Sequence, residues 1–440
     1  MRDAEGRSNR VRTKGTDPFL LVDWLRWQEH LHPNPIDLGL DRVRCVLKAM
    51  ELEHPPYRVL TVGGTNGKGS CVAFLDAILR AEGYKVGAYT SPHLLRYNER
   101  ICINGVGVTD AELCEAFERV DAARRDVSLT YFEFGTLAAF DIFRNHKIDI
   151  ALLEVGMGGR LDAVNAVDPD AALVVSIGLD HQEWLGNNRD SIGYEKAGIY
   201  RGNKPAICGD RNPPLRLLET VRQLGADLQV LGRDFNWRMN GATWTWHDKD
   251  REISQLPVPS LPGHIQFDNA ASVIALLQSV KSVLPIGEDA LRKGLQMAQI
   301  SARFQCLPGR IECILDVAHN PNAARVLAMN LAEKPAKGRT FAVVGIFGDK
   351  AVEDVTRALA PQIDHWFVAG LSGPRGQSAN KLAARIRSVM PDTRLVESGS
   401  VSEAYQAAQS AAMPGDRIVV FGSFQTVSAV LRIRQNTGDN

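Results

Sequence analysis

Short runs of apolar, mostly β-branched residues alternate along this chain with stretches that have the period of a helix. Before residue 228 the runs predict strands at 58–62, 86–89, 150–155, 172–177 and 205–208. The stretch 71–79, directly after the first strand, has the apolar spacing of a helix. Because strands that alternate with helices are typical of βαβ units, the pattern predicts a largely parallel, doubly wound sheet.

Two further helices are predicted ahead of the first strand, at 19–30 and 40–52. One face of the second helix is apolar and consists of Leu40, Val43, Val46, Leu47 and Met50. The residues between the two helices include Pro33 and Pro35, which cannot donate backbone hydrogen bonds and therefore predict a loop.

The pattern changes between Leu228 and Ile253, where tryptophans alternate with polar residues. The dipeptide Asn240-Gly241 in this segment is a strong hairpin signal. We therefore expect a small antiparallel element here, followed by helices at 269–283 and 288–299.

A linker is predicted at 298–308, because the alternation of strands and helices starts again beyond it. The later strands are predicted at 311–317, 340–346, 365–369 and 417–421. This second series is long enough for a Rossmann-like α/β domain. We expect an N-terminal domain at 1–300 and a C-terminal domain at 301–440, with a cleft between them.

Charge and cysteine content narrow the classes of function. The chain has 440 residues, with 51 basic and 51 acidic side chains, so charge gives no reason to expect nucleic acid or a membrane surface as a partner. Its seven cysteines are irregularly spaced and include no C-x-x-C pair, which argues against a disulfide framework or a zinc site. Residues 1–18 lack the apolar core of a signal peptide, and we expect a cytoplasmic monomer.

A Gly-rich loop, defined here as residues 63–70, lies between the first strand and the following helix. Such a turn exposes backbone N–H groups at the positive end of the helix, where Lys68 can reach phosphate oxygens and the Ser70 hydroxyl can reach Mg²⁺. Only three residues separate Gly63 from Gly67, where the general P-loop pattern has four. A tight turn without a ligand would explain the glycines but not the lysine, so we predict a cradle for ATP.

Side chains that can bind a metal follow three of the predicted strands. Ser91 follows the strand at 86–89, Glu154 lies at the end of the strand at 150–155, and His181 follows the strand at 172–177. Ligands bind at the carboxyl ends of strands in open α/β sheets, and this mixed set of oxygen and nitrogen donors suits a metal ion such as Mg²⁺. A histidine is by itself more often structural, but its position at a strand end favours a ligand.

Lys196 lies in a short helical stretch, Tyr194 to Tyr200. It is either an ordinary solvated lysine or a lysine carbamylated by CO₂, which would turn a cation into another metal-binding carboxylate. The residues around it do not decide between the two.

The predicted C-terminal domain and its approach offer further groups for a nucleotide. Arg310 has the planar fork that pairs with phosphate. Asp316 and His319 come at the end of the strand at 311–317 and would face the nucleotide from the opposite side of the cleft. The amide of Asn269 would meet the adenine or the phosphates.

Together these motifs resemble the folylpolyglutamate synthase branch of the Mur ligase superfamily. The resemblance runs from about Asp23 to the C terminus. It rests on separate motifs in a shared order: Gly64 to Ser70, Thr90 to Leu94, Glu154 to Asp162, Leu179 to His181, Glu195 to Gly198 and Asp316 to Pro321.

The resemblance implies an α/β fold with a P-loop ATPase-like N-terminal domain, a small antiparallel element and a Rossmann-like C-terminal domain. It also implies that the protein ligates L-glutamate at the expense of ATP. It assigns ATP to Asn66, Gly67, Lys68, Gly69, Ser70, Asn269, Arg310, Asp316 and His319, and Mg²⁺ to Ser91, Glu154 and His181. Lys68, His181 and a carbamylated Lys196 would be the catalytic residues.

The branch of this family with two activities, on dihydropteroate and on reduced folates, is the most similar. Its dihydropteroate pocket is built from segments that match Asp37-Leu38-Gly39-Leu40, Thr130-Tyr131-Phe132-Glu133 and Leu161-Asp162-Ala163. Aromatic rings there can stack on a pterin, and carboxylates can accept from its N–H groups. Without the resemblance, Tyr131 and Phe132 would simply begin a core helix.

Two alternatives stay open. A folylpolyglutamate synthase without the dihydropteroate activity would share most of these motifs, although Glu133 and the Asp37-Leu38 loop argue against it. A nucleotide-dependent switch would bind ATP without ligation, and Arg310 and Asp316 speak instead for an enzyme.

Overall fold

The computed structural model describes residues 20–437, so the predictions for residues 1–18 and for Phe19 lie outside it. The strands are β1 (Arg58–Gly63), β2 (Val86–Tyr89), β3 (Ile101–Ile103), β4 (Val106–Gly107), β5 (Ile150–Glu154), β6 (Ala171–Val174), β7 (Pro205–Cys208), β8 (Asp227–Val230), β9 (Phe235–Asn240), β10 (Thr243–Asp248), β11 (Glu252–Pro257), β12 (Gln305–Leu307), β13 (Glu312–Leu315), β14 (Thr340–Val344), β15 (His365–Ala369), β16 (Leu395–Ser398) and β17 (Arg417–Phe421).

The helices are α1 (Leu21–Gln28), α2 (Asp41–Ala49), α3 (Lys68–Glu82), α4 (Asp110–Arg124), α5 (Tyr131–Asn145), α6 (Gln182–Leu185), α7 (Arg189–Ala197), α8 (Leu215–Leu224), α9 (Ile265–Ser279), α10 (Glu288–Met297), α11 (Pro321–Glu333), α12 (Val352–Leu359), α13 (Ala379–Arg387), α14 (Val401–Ala411) and α15 (Phe424–Thr437). Short 3₁₀ helices lie at Tyr97–Arg100, Ala163–Ala166 and Ala360–Gln362. None of the helices in the described range is long and apolar enough to cross a membrane.

The first sheet has eight strands in the order β4-β3-β2-β5-β1-β6-β7-β8. Six strands of this sheet are parallel, namely β2, β5, β1, β6, β7 and β8. All five strands predicted before residue 228 are among them. The predicted α/β class with a mostly parallel sheet is confirmed. The short antiparallel strands β3 and β4 at one edge were not predicted, because they contain only a few residues each.

Helices cover both faces of this sheet. The apolar side chains of α3, α9 and α10 form one core with one face, and those of α2, α4 and α5 form another with the opposite face. Helix α5 begins with a capping box, in which Thr130 and Glu133 each accept from the other's backbone N–H. Tyr131 and Phe132 therefore do begin a core helix.

The tryptophan-rich segment forms the expected small antiparallel sheet, in the order β11-β10-β9. Its hairpin turns at Gly241, which has a positive φ of 65°, and Trp237 pairs with Trp246. The predicted start at Leu228 is wrong, because that residue lies in β8, the parallel edge strand of the first sheet. Helix α8 and the left-handed Gly225 return the chain to that edge before the hairpin begins.

The second large sheet has six strands in the order β12-β13-β17-β14-β15-β16, and all but β12 are parallel to their neighbours. Strand β12 occupies part of the segment predicted as a linker, where it pairs with β13 through Cys306 and Ile314. The two large sheets lie on opposite sides of residue 300 in the sequence. The exact division at that residue stays a prediction.

Candidate active site

A cleft of about 700 Å³ opens where the carboxyl ends of the parallel strands of both large sheets face each other. Its walls include the Gly-rich loop after β1, Glu154 at the end of β5 and Asp316 directly after β13. Residues from both large sheets therefore line one cavity.

The Gly-rich loop is fixed by the residues that follow β6. The backbone N–H of Thr65 donates to the Ser176 carbonyl at 2.8 Å, and that of Asn66 donates to the Ser176 hydroxyl at 3.0 Å. The Thr65 hydroxyl donates to the Gly178 carbonyl at 3.1 Å. These bonds hold the loop between a strand and a helix, which is the context that a phosphate cradle requires.

Helix α3 begins at Lys68, directly behind the left-handed Gly67. The first amides of a helix have no partner within it, and its N-terminal end carries partial positive charge, so this end attracts phosphate. The Lys68 ammonium reaches back over the loop and donates to the Gly64 carbonyl at 3.0 Å. Ser70 is buried in the first turn and lines the cleft.

Two of the three predicted metal ligands are in contact. The Ser91 backbone N–H donates to the Glu154 carboxylate at 3.3 Å, because β2 and β5 are parallel neighbours that end side by side. His181 follows β6, adopts a left-handed backbone at the start of α6 and lines the same cleft. All three therefore face one cavity.

Burial shifts the pKa of both ionisable side chains in this group, Glu154 and His181. Burial raises the pKa of Glu154, an effect that the charge of Lys68 partly offsets. Burial also lowers the pKa of His181 to about 4, so its imidazole is neutral near pH 7 and its lone pair is free for a metal. A buried carboxylate with a single hydrogen bond, a hydroxyl side chain and a neutral imidazole are chemically suited to a divalent ion.

Arg310 lies outside the cleft, so its position does not support the predicted contact with ATP. It is exposed in the turn between β12 and β13, and β13 separates it from the cleft edge by roughly 13 Å at the rise of an extended strand. Arg303 lines the cleft instead, with its guanidinium 5.4 Å from the centre of the Phe424 ring. Burial lowers the pKa of Arg303, although the carboxylates of Asp316 and Glu154 oppose the shift.

Asp316 lines the cleft but is already engaged by the backbone. Its carboxylate accepts from the N–H groups of Phe304 and Ala318, both at 2.8 Å. It therefore fixes the segment that carries Arg303. Asn269, on α9, donates to the Gln266 side chain at 2.9 Å and also lines the cleft.

His319 and Lys350 meet Asp180 across the cleft. The Lys350 ammonium lies 2.5 Å from one Asp180 oxygen, and His319 Nε2 lies 3.2 Å from the other. Burial would raise the pKa of Asp180, but the hydrogen bond from His319 and the charges of His319 and Lys350 hold it well below its usual range.

Lys196 lies in α7, and its side chain is buried in the wall of the cleft. It is therefore not the solvated lysine of the first alternative. Burial lowers its pKa to about 7, and the charge of Lys68 acts in the same direction. Burial therefore disfavours the ammonium form, although the charges of Asp180 and Asp162 act in the opposite direction.

The three segments predicted to hold dihydropteroate are joined to one another. Arg42 links the first to the second, donating to Asp37 at 2.8 Å and to Glu133 at 2.9 Å. The ring of Phe132 packs closely over Gly156, where a Cβ would lie 2.7 Å from it. The next residue, Met157, donates its N–H to Asp162 of the third segment at 2.8 Å.

The carboxylates in these segments already have partners. Glu133 accepts from the Thr130 N–H at 2.8 Å in addition to Arg42, and Asp162 also accepts from the Val164 N–H at 3.1 Å. Tyr131 is partly buried, with the Arg100 guanidinium 5.5 Å from the centre of its ring. The remaining members of the set are Leu38, Gly39, Leu40, Leu161 and Ala163, of which Ala163 is buried.

Two residues of the cleft, Arg303 and Lys350, escaped the sequence analysis. Arg303 fell within the predicted linker. Arg303 and Arg310 each lie shortly before a strand, β12 or β13, so their sequence positions are similar and only their burial distinguishes them. Lys350 follows β14 and the glycine Gly348. The combination of a strand end, a glycine and a lysine is the signal that would have identified it.

The chain is similar to proteins of known family over most of its length. Residues 62–277 match the Mur ligase middle domain, and residues 302–424 match the Mur ligase glutamate ligase domain. The dihydrofolate synthase/folylpolyglutamate synthase of Escherichia coli (strain K12) is 41% identical over 413 residues, which cover 94% of this chain and 95% of that protein.

Solved structures with bound small molecules have the same fold. E. coli FolC in complex with DHPP and ADP has a TM-score of 0.90 at 40% identity, covering 95% of this chain and 98% of that chain. A bifunctional folylpolyglutamate synthase/dihydrofolate synthase with Mn, AMPPNP and L-glutamate bound has a TM-score of 0.87 at 42% identity, covering 94% of this chain and 98% of that chain.

Proposed function

Because this chain belongs to the dihydrofolate synthase/folylpolyglutamate synthase family of the Mur ligases, we propose that its cleft joins L-glutamate to dihydropteroate and to reduced folates at the expense of ATP. The observation that carries the proposal is the cleft itself, whose lining combines a Gly-rich loop at a helix N terminus with cationic side chains from the second sheet. The ligands of the related structures, which are ADP, AMPPNP, DHPP and L-glutamate, support this choice of substrates.

The reaction proceeds in two steps. A carboxylate oxygen of the acceptor attacks the γ-phosphorus of ATP, the bond from that phosphorus to the bridging oxygen breaks, and an acyl phosphate and ADP form. The amine of L-glutamate then attacks the acyl carbon, expels inorganic phosphate and loses a proton, which leaves an amide. The phosphate activates a carboxylate that is otherwise a poor electrophile.

The residues of this chain stabilise the phosphoryl group during transfer. The loop amides from Gly67 to Ser70 and the Lys68 ammonium bind the phosphates from the first sheet, and Arg303 reaches them from the opposite wall. Because these groups are held by the protein before reaction, little reorganisation accompanies the change in charge. Asn269 contacts the nucleotide from α9.

Ser91, Glu154 and His181 would hold Mg²⁺. The ion neutralises phosphate charge when bound, and Mn in a related structure supports a divalent cation here. These three side chains bind it rather than carry protons.

The acceptor lies against the three joined segments around Phe132 and Tyr131. These rings supply faces for a flat heterocycle. Since the oxygens of Glu133 and Asp162 already hold the surrounding chain, their role is to shape the pocket as well as to accept from the ligand.

Lys196 is carbamylated in the working enzyme. An uncharged amine reacts with CO₂ to give a carbamate and a proton, and the low pKa of about 7 makes that amine available near neutral pH. The new carboxylate would lie within range of the Lys68 charge, and it can bind the metal.

The test is ADP release from ATP and Mg²⁺, with L-glutamate present or omitted and with dihydropteroate or tetrahydrofolate as acceptor. We expect release with both acceptors, dependent on glutamate and lost in Lys68→Met. Release with tetrahydrofolate alone would identify a folylpolyglutamate synthase without the first activity. Continued release without glutamate and without any acceptor would identify a nucleotide-dependent switch and overturn the proposal.

Some expectations from the sequence stay predictions: the cytoplasmic location, the monomeric state and the absence of nucleic acid and membrane partners. The ligase chemistry does not depend on them. Gel filtration with light scattering checks the monomer directly.

A further inference from the structure

Asp180 is a point of polar contact between the two sides of the cleft. Four donors reach its carboxylate. Oδ1 accepts from the His181 N–H at 2.9 Å and from the Lys350 ammonium at 2.5 Å, and Oδ2 accepts from His319 Nε2 at 3.2 Å and from the Asn320 amide at 3.3 Å. Three of these donors belong to the chain after residue 300.

A second pair of residues extends the junction to the Gly-rich loop. The Asn320 amide donates to the Asn66 side-chain oxygen at 3.0 Å, and Asn66 donates in return at 3.3 Å. Within residues 20–437, every hydrogen bond and ion pair between side chains or backbone that spans residue 300 involves Asp180 or Asn66. The polar contact between the two sides is therefore concentrated in one cluster.

Both ring nitrogens of His319 face oxygen atoms. Nδ1 lies 2.9 Å from the Val317 carbonyl, and Nε2 faces Asp180. The ring therefore lies between the backbone that follows β13 and the Asp180 carboxylate.

The cluster is poorly exposed to solvent. The side chains of Lys350 and Asp180 are 6% and 10% exposed. When one member of a buried ion pair is removed, the other keeps its desolvation penalty without compensation. A change at Asp180 therefore acts on Lys350 and His319 at once.

We propose that Asp180 is a positioning residue that holds the two sides of the cleft together. It keeps Lys350, His319 and the Asn66 end of the Gly-rich loop in their working positions.

The test compares Asp180→Asn with two other variants of the full chain. Lys350→Met removes the opposite partner and leaves the backbone of the metal ligand His181 untouched. The matched control is Asp170→Asn. Like Asp180, Asp170 accepts from a cationic side chain and a backbone N–H, at 3.1 Å from Arg58 and 2.9 Å from Val59, but both donors belong to the first part of the chain.

Small-angle X-ray scattering without ligands gives the first measurement. We expect a larger radius of gyration for Asp180→Asn and Lys350→Met, no further increase in the double variant, and no change in the control. If the ligand-free scattering of Asp180→Asn matches that of the wild type, or if the control expands as much, the proposal is overturned. This measurement does not involve ligase activity.

Nucleotide affinity gives the second measurement. If the joined state falls from nearly all molecules to about one in ten, the apparent Kd for an ATP analogue rises about tenfold. Saturating analogue should then restore the wild-type radius of gyration. An unchanged Kd, or scattering that saturating analogue leaves expanded, would contradict a role in holding the cleft.

Discussion

A Cβ atom on Gly67 would lie 2.9 Å from the Asn269 amide oxygen, so the Gly-rich loop and helix α9 meet where there is no room for a side chain. The same atom would lie 2.8 Å from Val175. Gly67 also has a positive φ of 86°, a conformation that disfavours other residues. The loop and its first helical turn are therefore fixed by close backbone approach.

We expect Gly67→Ala to lower the affinity for an ATP analogue at least about tenfold, because the loop must move away from α9. Titration calorimetry measures this. The unfolding free energy should also fall, by about 1–3 kcal/mol, in urea denaturation.

Gly225→Ala is the matched control, since Gly225 has a φ of 68° but nothing within 4 Å of its Cβ position. This variant should lose only about 1 kcal/mol of stability and keep its affinity. Equal losses of affinity in both variants would show that the contact with Asn269 is irrelevant.

Variants of Arg303 and Arg310 test which of these two arginines binds the phosphates. We expect Arg303→Met to lower kcat about 100-fold or more, as for the loss of a preorganised charge at the reacting group. Arg310→Met, in the exposed turn, should stay within about twofold of the wild type. Steady-state ADP release measures both, and the opposite order would restore Arg310.

Glu154→Gln tests the metal assignment. Loss of the carboxylate charge should raise the Mg²⁺ concentration for half-maximal activity at least about tenfold, at equal saturation with ATP. Glu353→Gln serves as control, because Glu353 pairs with Arg385 outside the cleft. A Mg²⁺ titration of Glu154→Gln that superimposes on the wild type would remove Glu154 from the metal site.

The carbamate at Lys196 should depend on pH. With a pKa of about 7, Lys196 is an ammonium below that pH and a free amine above it. Labelling with ¹³C-bicarbonate should therefore give a carbamate NMR signal at pH 8 that fades by pH 6. The signal should be missing in Lys196→Met and retained in Lys48→Met, whose lysine is exposed.

The lowered pKa of Lys196 also makes the free energy of unfolding depend on pH. The pKa of Lys196 falls from 10.5 to about 7 on folding, so the unfolded chain binds more protons between these values. With CO₂ excluded, the wild type should gain stability relative to Lys196→Met as the pH rises from 7 towards 10. A constant difference in urea unfolding over that range would contradict the lowered pKa.

The strands that position the site could be predicted because they are buried on both faces. Pro205–Cys208, His365–Ala369 and Arg417–Phe421 have the predicted bounds, since in a covered parallel sheet an apolar run ends where burial ends. The edges of the sheet escaped prediction. Val106 and Gly107 of β4 are exposed, so they carry no apolar signal.

The chemistry of the site was predictable where it follows a strand directly. Glu154 and the Gly-rich loop lie at strand ends and line the cleft as expected. Arg303 and Lys350 come from segments between elements, and their burial depends on how the second sheet faces the first. No local pattern contains that information, so the sequence analysis named Arg310, which lies outside the cleft, and not Arg303, which lines it.

The Glu133 carboxylate has two structural roles, and both restrict which substitutions could change the acceptor that the protein is proposed to bind. The carboxylate completes the start of helix α5 and also holds Arg42, and through it Asp37. Replacing it would loosen a core helix together with the pocket. Gly39 carries no such constraint, because a Cβ there would have nothing within 4 Å, so directed evolution of the proposed acceptor pocket should begin at that position.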